Sequence, residues 1–321
     1  MSTPAGTSGR KKSKKSFLPS PVTEQLDHLE SVVHDFEDQV RDVNARIDQR
    51  AGRPLWQAIA IGLGLGAVFL GSLLWLEELF VLFITVLVVF AVLELAGALA
   101  AKGRLGSRWP LVILSAVMVP LSWVLGPAGQ LWSLVGAIVF AVTLRAGRAL
   151  FQPSSRGTWL TDSGVAVLVL AYIPFLGSFA VAIAASPSGV LWVLAGVVIV
   201  ASVDTGAYAT GVSLGKTPLA PKISPKKTWE GFAGSSAAAL ISGGLLGFFL
   251  LDVGVWVGLL LGLVLLGSAT LGDLVESLIK RDLEIKDISS WLPGHGGFLD
   301  RLDSMLPSMA MLFVMFQIFA T

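Results

Sequence analysis

Residues 79–101 read LFVLFITVLVVFAVLELAGALAA, a run in which Glu94 is the one charge. About 20 apolar residues carry an α-helix across the hydrocarbon core of a bilayer. In lipid, backbone N–H and C=O groups are satisfied only within a helix or a closed barrel. The run is continuous and does not alternate, so it predicts a transmembrane helix and excludes a barrel strand. Further stretches of the same character cover roughly 55–75, 109–126, 130–147, 161–185, 188–207, 231–251, 253–275 and 304–320. The expected fold is all-α: a polytopic membrane protein of about nine transmembrane helices.

Composition agrees. Of 321 residues, 54% are hydrophobic and 14% charged, against about one quarter charged in soluble domains, and mean hydropathy is +0.76. The 35 glycines suit close packing of helices in lipid. The absence of cysteine excludes disulfides, zinc-thiolate sites and thiol catalysis. A net charge of +1 is uninformative by itself, and no nucleic-acid partner is expected.

Ahead of the spans lie two segments of different character. Residues 1–21 form a basic tail with Arg10, Lys11, Lys12, Lys14 and Lys15, expected to be disordered, either solvated or held against anionic headgroups. Residues 22–53 place Leu26, Leu29, Val33, Phe36, Val40, Val43 and Ile47 three and four apart, the seam of an amphipathic or coiled-coil helix. Its apolar stripe needs a cover: self-association, the protein's own cytosolic face, or the membrane interface. The transmembrane domain is expected over 54–321.

All 23 Lys and Arg fall within 10–53, 102–108, 145–156, 216–227 and 280–301. With nine spans these segments share one side. The opposite connections, around Glu77-Glu78, Gly126–Gly129, Ser186–Ser188 and Asp252, hold no cation. The positive-inside rule therefore expects a cytosolic N-terminus and Thr321 on the opposite side.

Polar chemistry concentrates in two segments of the cationic side. In the first, Asp204 and Tyr208 precede Lys222, Ser224, Lys226 and Lys227. Prolines between 218 and 225 hold the backbone extended there, and the lysines and hydroxyls suit phosphate oxygens. In the second, Asp273, Glu276, Ser277 and Lys280 stand at i, i+3, i+4 and i+7, one face of a continuing helix. Asp300, Asp303 and Ser304 follow the same spacing at the start of the last span. Carboxylates gathered from two helix ends repel one another unless a divalent cation joins them. Mg²⁺ takes one or two carboxylates and leaves its remaining positions to water and phosphate. His295 lies among Gly294, Gly296 and Gly297, whose backbone can turn N–H groups toward an anion. Glu94, inside a span, is either functional or a hydrogen-bond partner for a neighbouring helix.

Ser277-Leu-Ile-Lys280-Arg281, then Lys286-Asp287, then Leu292-Pro-Gly-His295-Gly-Gly-Phe-Leu-Asp300-Arg301-Leu-Asp303 resembles the signature of the phosphatidate cytidylyltransferases, also called CDP-diacylglycerol synthases. Asp204-Thr-Gly-Ala-Tyr208 and Pro221–Gly231 resemble that family's preceding loop. Ile288 departs from the pattern, standing where a hydroxyl residue is common, and residues 1–53 lie outside it. The resemblance implies that CTP and phosphatidate give CDP-diacylglycerol and pyrophosphate, with Mg²⁺ and room for a monovalent cation beside it. By that resemblance Asp273, Asp300 and Asp303 bind metal. Lys222, Lys226, Lys227, Lys280, Arg281, Lys286 and Arg301 neutralise the triphosphate and lipid phosphate, and the Gly294–Gly297 turn with His295 cradles a phosphate. Asp204, Tyr208 and Ser224 contact substrate. The heptads and the family both suggest a homodimer. Three rival readings are a CTP-dependent enzyme with another lipid acceptor, a transporter, and a membrane scaffold. The first would require a base if the acceptor were an alcohol. Against a transporter, the polar clusters lie at one surface and not at the midplane.

Overall fold

A computed structural model describes residues 55–152, 157–289, 291 and 296–320. The expectations for the basic tail and the heptad helix, with those for Gly294, His295 and Thr321, lie outside the described residues.

The described residues are helical almost throughout. In order come α1 (Leu55–Trp75), α2 (Glu77–Ala101), α3 (Trp109–Phe151), α4 (Trp159–Leu170) and α5 (Leu176–Ala184). There follow α6 (Gly189–Leu214), a hairpin of β1 (Pro218–Ala220) and β2 (Ser224–Thr228), α7 (Trp229–Phe249), α8 (Val255–Asp282), α9 (Leu299–Leu302) and α10 (Met305–Phe319). Among the described residues, seven helical stretches are long and apolar enough to cross a membrane, and α1 adds a shorter apolar stretch over Gly62–Trp75. The protein is a multi-pass integral membrane protein.

α3 accounts for one of the two spans between seven and nine, and α1, with its shorter described stretch, for the other. The 43 residues of α3 would reach about 64 Å if straight, twice the hydrocarbon thickness. At Gly126 the backbone leaves the helical region, with φ 64° and ψ −160°, and Pro127 follows. The chain reverses there. Gly106 N, just ahead of α3, and Arg145 Nε, near its far end, both donate to Asp162 Oδ1 at 3.2 Å. One carboxylate can meet both only if the two halves run back alongside each other. The expected spans 109–126 and 130–147 are therefore two crossings joined at a glycine turn.

α4 and α5 form one crossing interrupted by a π turn, Ala171–Phe175, at Pro174. Proline cannot donate to the helix ladder, and a π turn absorbs the defect. Gln130 of α3, 1% exposed, donates from Nε2 to the Phe175 carbonyl at 3.3 Å and to Ser178 Oγ at 2.8 Å.

α6 and α8 each run about two turns beyond their expected spans of 188–207 and 253–275. Thr205, Thr210 and Ser213 donate their hydroxyls to carbonyls one turn back, so polar sequence continues the helix. The β-hairpin is the exception to an all-α fold. It pairs Pro218 with Thr228 and Ala220 with Ser224, the extended conformation its prolines favour. Thr228 Oγ1 accepts from Gly231 N at 3.1 Å to cap α7. Glu230 accepts from the backbone of Lys216 and Thr217, tying the hairpin's entry to the same helix end.

The cationic loops meet at one end of the bundle. Arg104 pairs with Asp282, Lys102 with Glu284 at 3.7 Å, and Arg281 Nε donates to Ile223 O at 3.3 Å. Below them α7 and α8 cross at backbone distance. A Cβ on Gly243 would lie 3.0 Å from Gly262 Cα, and one on Gly258 would lie 2.9 Å from Gly247 Cα. Gly258→Val should therefore wedge the pair apart and destabilise the detergent-solubilised protein by about 1–3 kcal/mol. Gly267→Val, on an exposed face of the same helix with nothing within 4 Å, should leave thermal unfolding unchanged. Equal melting of the two variants would contradict this packing.

Candidate active site

The cavity at the cationic end encloses about 410 Å³ and is lined from α6, the hairpin, α7, α8, α9 and the start of α10. Its position is set by the approach of α8 to α10. A Cβ on Gly272 would fall within the Asp303 carbonyl oxygen and 2.6 Å from Pro307 Cγ. The next residue on α8 is Asp273, and Asp303 closes the facing helix end, so both carboxylates open into the cavity with Asp204 and Asp300.

Lysines hold this cluster together. Lys227 Nζ, from the hairpin, lies 2.6 Å from Asp273 Oδ2, and Ser277 Oγ donates to Asp273 Oδ1 at 3.4 Å. Lys280 Nζ bridges Glu276 Oε2 at 2.6 Å and Asp300 Oδ1 at 3.1 Å. The i, i+3, i+4, i+7 face read from the sequence is thus one side of the site. Glu276 is 1% exposed and stands behind Asp300.

Glu94 has a structural partner that no local pattern reveals. It is 4% exposed. Its Oε1 accepts from Phe298 N and its Oε2 from Leu299 N, both at 2.9 Å, and the Ser289 hydroxyl donates to Oε1. An intramembrane carboxylate of α2 therefore caps α9, the short helix that carries Asp300 and Arg301. Asp300 is fixed from the other side by Gly297 N, which donates to Oδ2 at 2.7 Å. Gly296 has φ 80°, a conformation open to glycine that brings this N–H round. Phe90 of α2 stacks on Phe298 with ring centroids 4.8 Å apart.

The remaining candidates divide. Ser224, Lys226, Lys227, Tyr208 and Arg301 line the cavity with Thr228 and Ser304, and so do Thr270 and Ser235, two hydroxyls that the sequence reading left out. Arg281 holds the hairpin by its bond to Ile223 O. Lys222 in the hairpin turn and Lys286 beyond α8 are exposed and stand outside the cavity lining.

The donor set suits a hard cation. Among the described residues no three His, Asp or Glu side chains are arranged to hold an ion unaided, and Mg²⁺ does not require three. Asp273 and Asp303 face the same space from opposite helices. Asp303 Oδ1 accepts from Ser304 N at 2.7 Å, and Glu276 Oε1 is buried without a hydrogen-bond partner. The Asp273 and Asp303 carboxylates on the cavity wall fit an ion that takes one or two carboxylates and completes its shell with water and phosphate, while Glu276 stands outside that lining. The cavity has cations for anionic oxygens and carboxylates for a metal.

Comparison with known proteins matches the sequence to a family. A model described as the cytidylyltransferase family matches residues 56–319. The phosphatidate cytidylyltransferase of Mycobacterium bovis is 38% identical over 266 residues, covering 81% of this chain and 87% of that protein. The Mycobacterium leprae protein of the same name is 37% identical over 270 residues, 81% of this chain and 86% of the relative. The Bacillus subtilis one is 43% identical over 133 residues, 41% and 49% respectively.

Hydrogen bonds to a charged group contribute about 1.5–3 kcal/mol each, so Glu94→Ala should destabilise the protein by about 3 kcal/mol or more. Amide hydrogen exchange at Phe298 and Leu299 should accelerate at least about tenfold, with Glu94→Gln intermediate. Unchanged exchange in Glu94→Ala would contradict the cap.

Proposed function

The chain belongs to the cytidylyltransferase family, and we propose that it transfers the cytidylyl group of CTP to phosphatidate, giving CDP-diacylglycerol and pyrophosphate. The observation that carries this reading is one cavity in a membrane protein that combines carboxylates with Lys226, Lys227 and Arg301 at the end where the cationic loops gather. That chemistry suits a triphosphate and a lipid phosphate meeting at headgroup depth.

A phosphate oxygen of phosphatidate attacks the α-phosphorus of CTP. The new P–O bond forms as the bond to pyrophosphate breaks, and pyrophosphate leaves with the electron pair. The attacking oxygen is anionic at neutral pH, so the reaction needs alignment and charge neutralisation more than a base. Lys226 and Lys227 approach from the hairpin and Arg301 from α9, which supports a division between nucleotide phosphates and lipid phosphate. Lys280 holds Asp300 and Glu276 in place. Asp273, Asp300 and Asp303 are the residues that would hold Mg²⁺, which supplies charge neutralisation on the phosphate oxygens when bound. A homodimer belongs to the same proposal, as does a cytosolic N-terminus and active site with Thr321 on the opposite side. The clustering of cationic loops supports this orientation.

The test is pyrophosphate release by purified protein given CTP and Mg²⁺ with phosphatidate, a phosphorylated ether lipid, an isoprenoid alcohol or no lipid. Release that depends on phosphatidate and yields a CDP-lipid is expected. Activity with another acceptor alone would keep the site and change the substrate, and silence with every lipid from folded protein would contradict the proposal. Asp300→Asn should abolish turnover while leaving thermal unfolding within a few degrees of wild type, and removal of residues 1–50 should spare it.

A further inference from the structure

A second cavity, of about 390 Å³, adjoins the site on its membrane side. It runs between α1, α2, α5, α6 and α10, and its walls include Gly66, Phe83, Ala180, Val197 and Met305. Among its described lining residues Arg301 is the one charged side chain, and Arg301 also lines the polar cavity. The two spaces therefore share Arg301, with polar lining on one side of it and apolar lining on the other.

The groove runs in the same direction along three of its walls. On α9 and α10 it extends from Arg301 to Met309, about 12 Å along the axis at 1.5 Å per residue. On α6 it reaches Val197 and Val193, about 10 Å and more below Asp204. On α2 it covers Phe83 to Val88, about 9–16 Å below Glu94. It thus descends from headgroup depth into the hydrocarbon.

One wall is also built to admit a chain from the side. α1 is buried at Ser72 and Leu73, where Phe69 packs on Phe80 and Phe83 with centroids 6.0 and 6.3 Å apart. Toward its other end Gly62, Leu63 and Gly64 are exposed. The helix leans on α2 near one end and is exposed toward the other.

From the proposed activity, on which this rests, we infer that the groove receives an acyl chain of the lipid substrate, entering laterally past α1, while Arg301 pairs with the phosphate at its mouth. An acyl chain with a phosphate at one end matches an apolar slot with one cation at its head. The groove then sets the preference for long acyl chains.

A Cβ at Gly66 would meet nothing within 4 Å and Val197 is half-buried, so Gly66→Phe and Val197→Phe narrow the groove without touching the polar cavity. The experiment compares kcat/KM for dioleoyl and dihexanoyl phosphatidate in mixed micelles with saturating CTP and Mg²⁺, using full-length protein of verified thermal stability. Wild type should favour the dioleoyl lipid by about tenfold or more, about the discrimination expected from a few buried methylenes. Both variants should lose most of that preference while keeping KM for CTP and the dihexanoyl rate within about twofold. Variants with the wild-type ratio would overturn the groove, leaving bulk lipid or a second copy as its occupant. A folded wild type inactive on both lipids would overturn the proposed activity and the groove with it.

Discussion

The approach of α8 to α10 at Gly272 governs the site. No side chain fits between the helices there, so the carboxylates that follow on each, Asp273 and Asp303, must face each other across a small space with Asp204 and Asp300. Two like charges about 5 Å apart repel by about 3 kcal/mol at an effective dielectric near 20. The neighbouring cations answer that repulsion: Lys227 on Asp273, and Lys280 between Glu276 and Asp300.

The elements around the cluster serve its placement. Glu94 and Gly297 hold α9 from two sides, so that Asp300 and Arg301 are presented on a short helix whose N-terminal amides are satisfied. Arg281 and Glu230 fasten the hairpin to α8 and α7, which sets Lys226 and Lys227 over the cavity. A membrane protein that joins a water-soluble nucleotide to a lipid needs its charged site at the level of the headgroups. The π turn, the Gly126 reversal and the glycine crossing of α7 and α8 are how the bundle stays closely packed beneath it.

Much of this is written locally in the sequence. Apolar length gives the spans, and the i, i+3, i+4, i+7 spacing of Asp273 to Lys280 gives a helical face because α8 continues unbroken past the membrane. The Gly126-Pro127 pair was legible as a break between two crossings, and helical residues resume directly after it. Other features depend on contacts across long separations. Glu94 meets Phe298 and Leu299 more than 200 residues away, so the sequence leaves its role open between function and packing. Lys222 and Lys286 share the composition of their neighbours, yet a hairpin turn and a loop carry them outside the cavity. The lipid groove has no motif at all, since its walls are ordinary apolar residues from five helices.

The most direct test of the account is a structure determined with CTP and Mg²⁺. The account predicts triphosphate density between the hairpin lysines and the facing ends of α8 and α9, with metal density beside Asp273 and its neighbours. Triphosphate bound instead in the separate arginine-lined cavity beside Arg104 and Arg148, with the carboxylate cluster vacant, would contradict it.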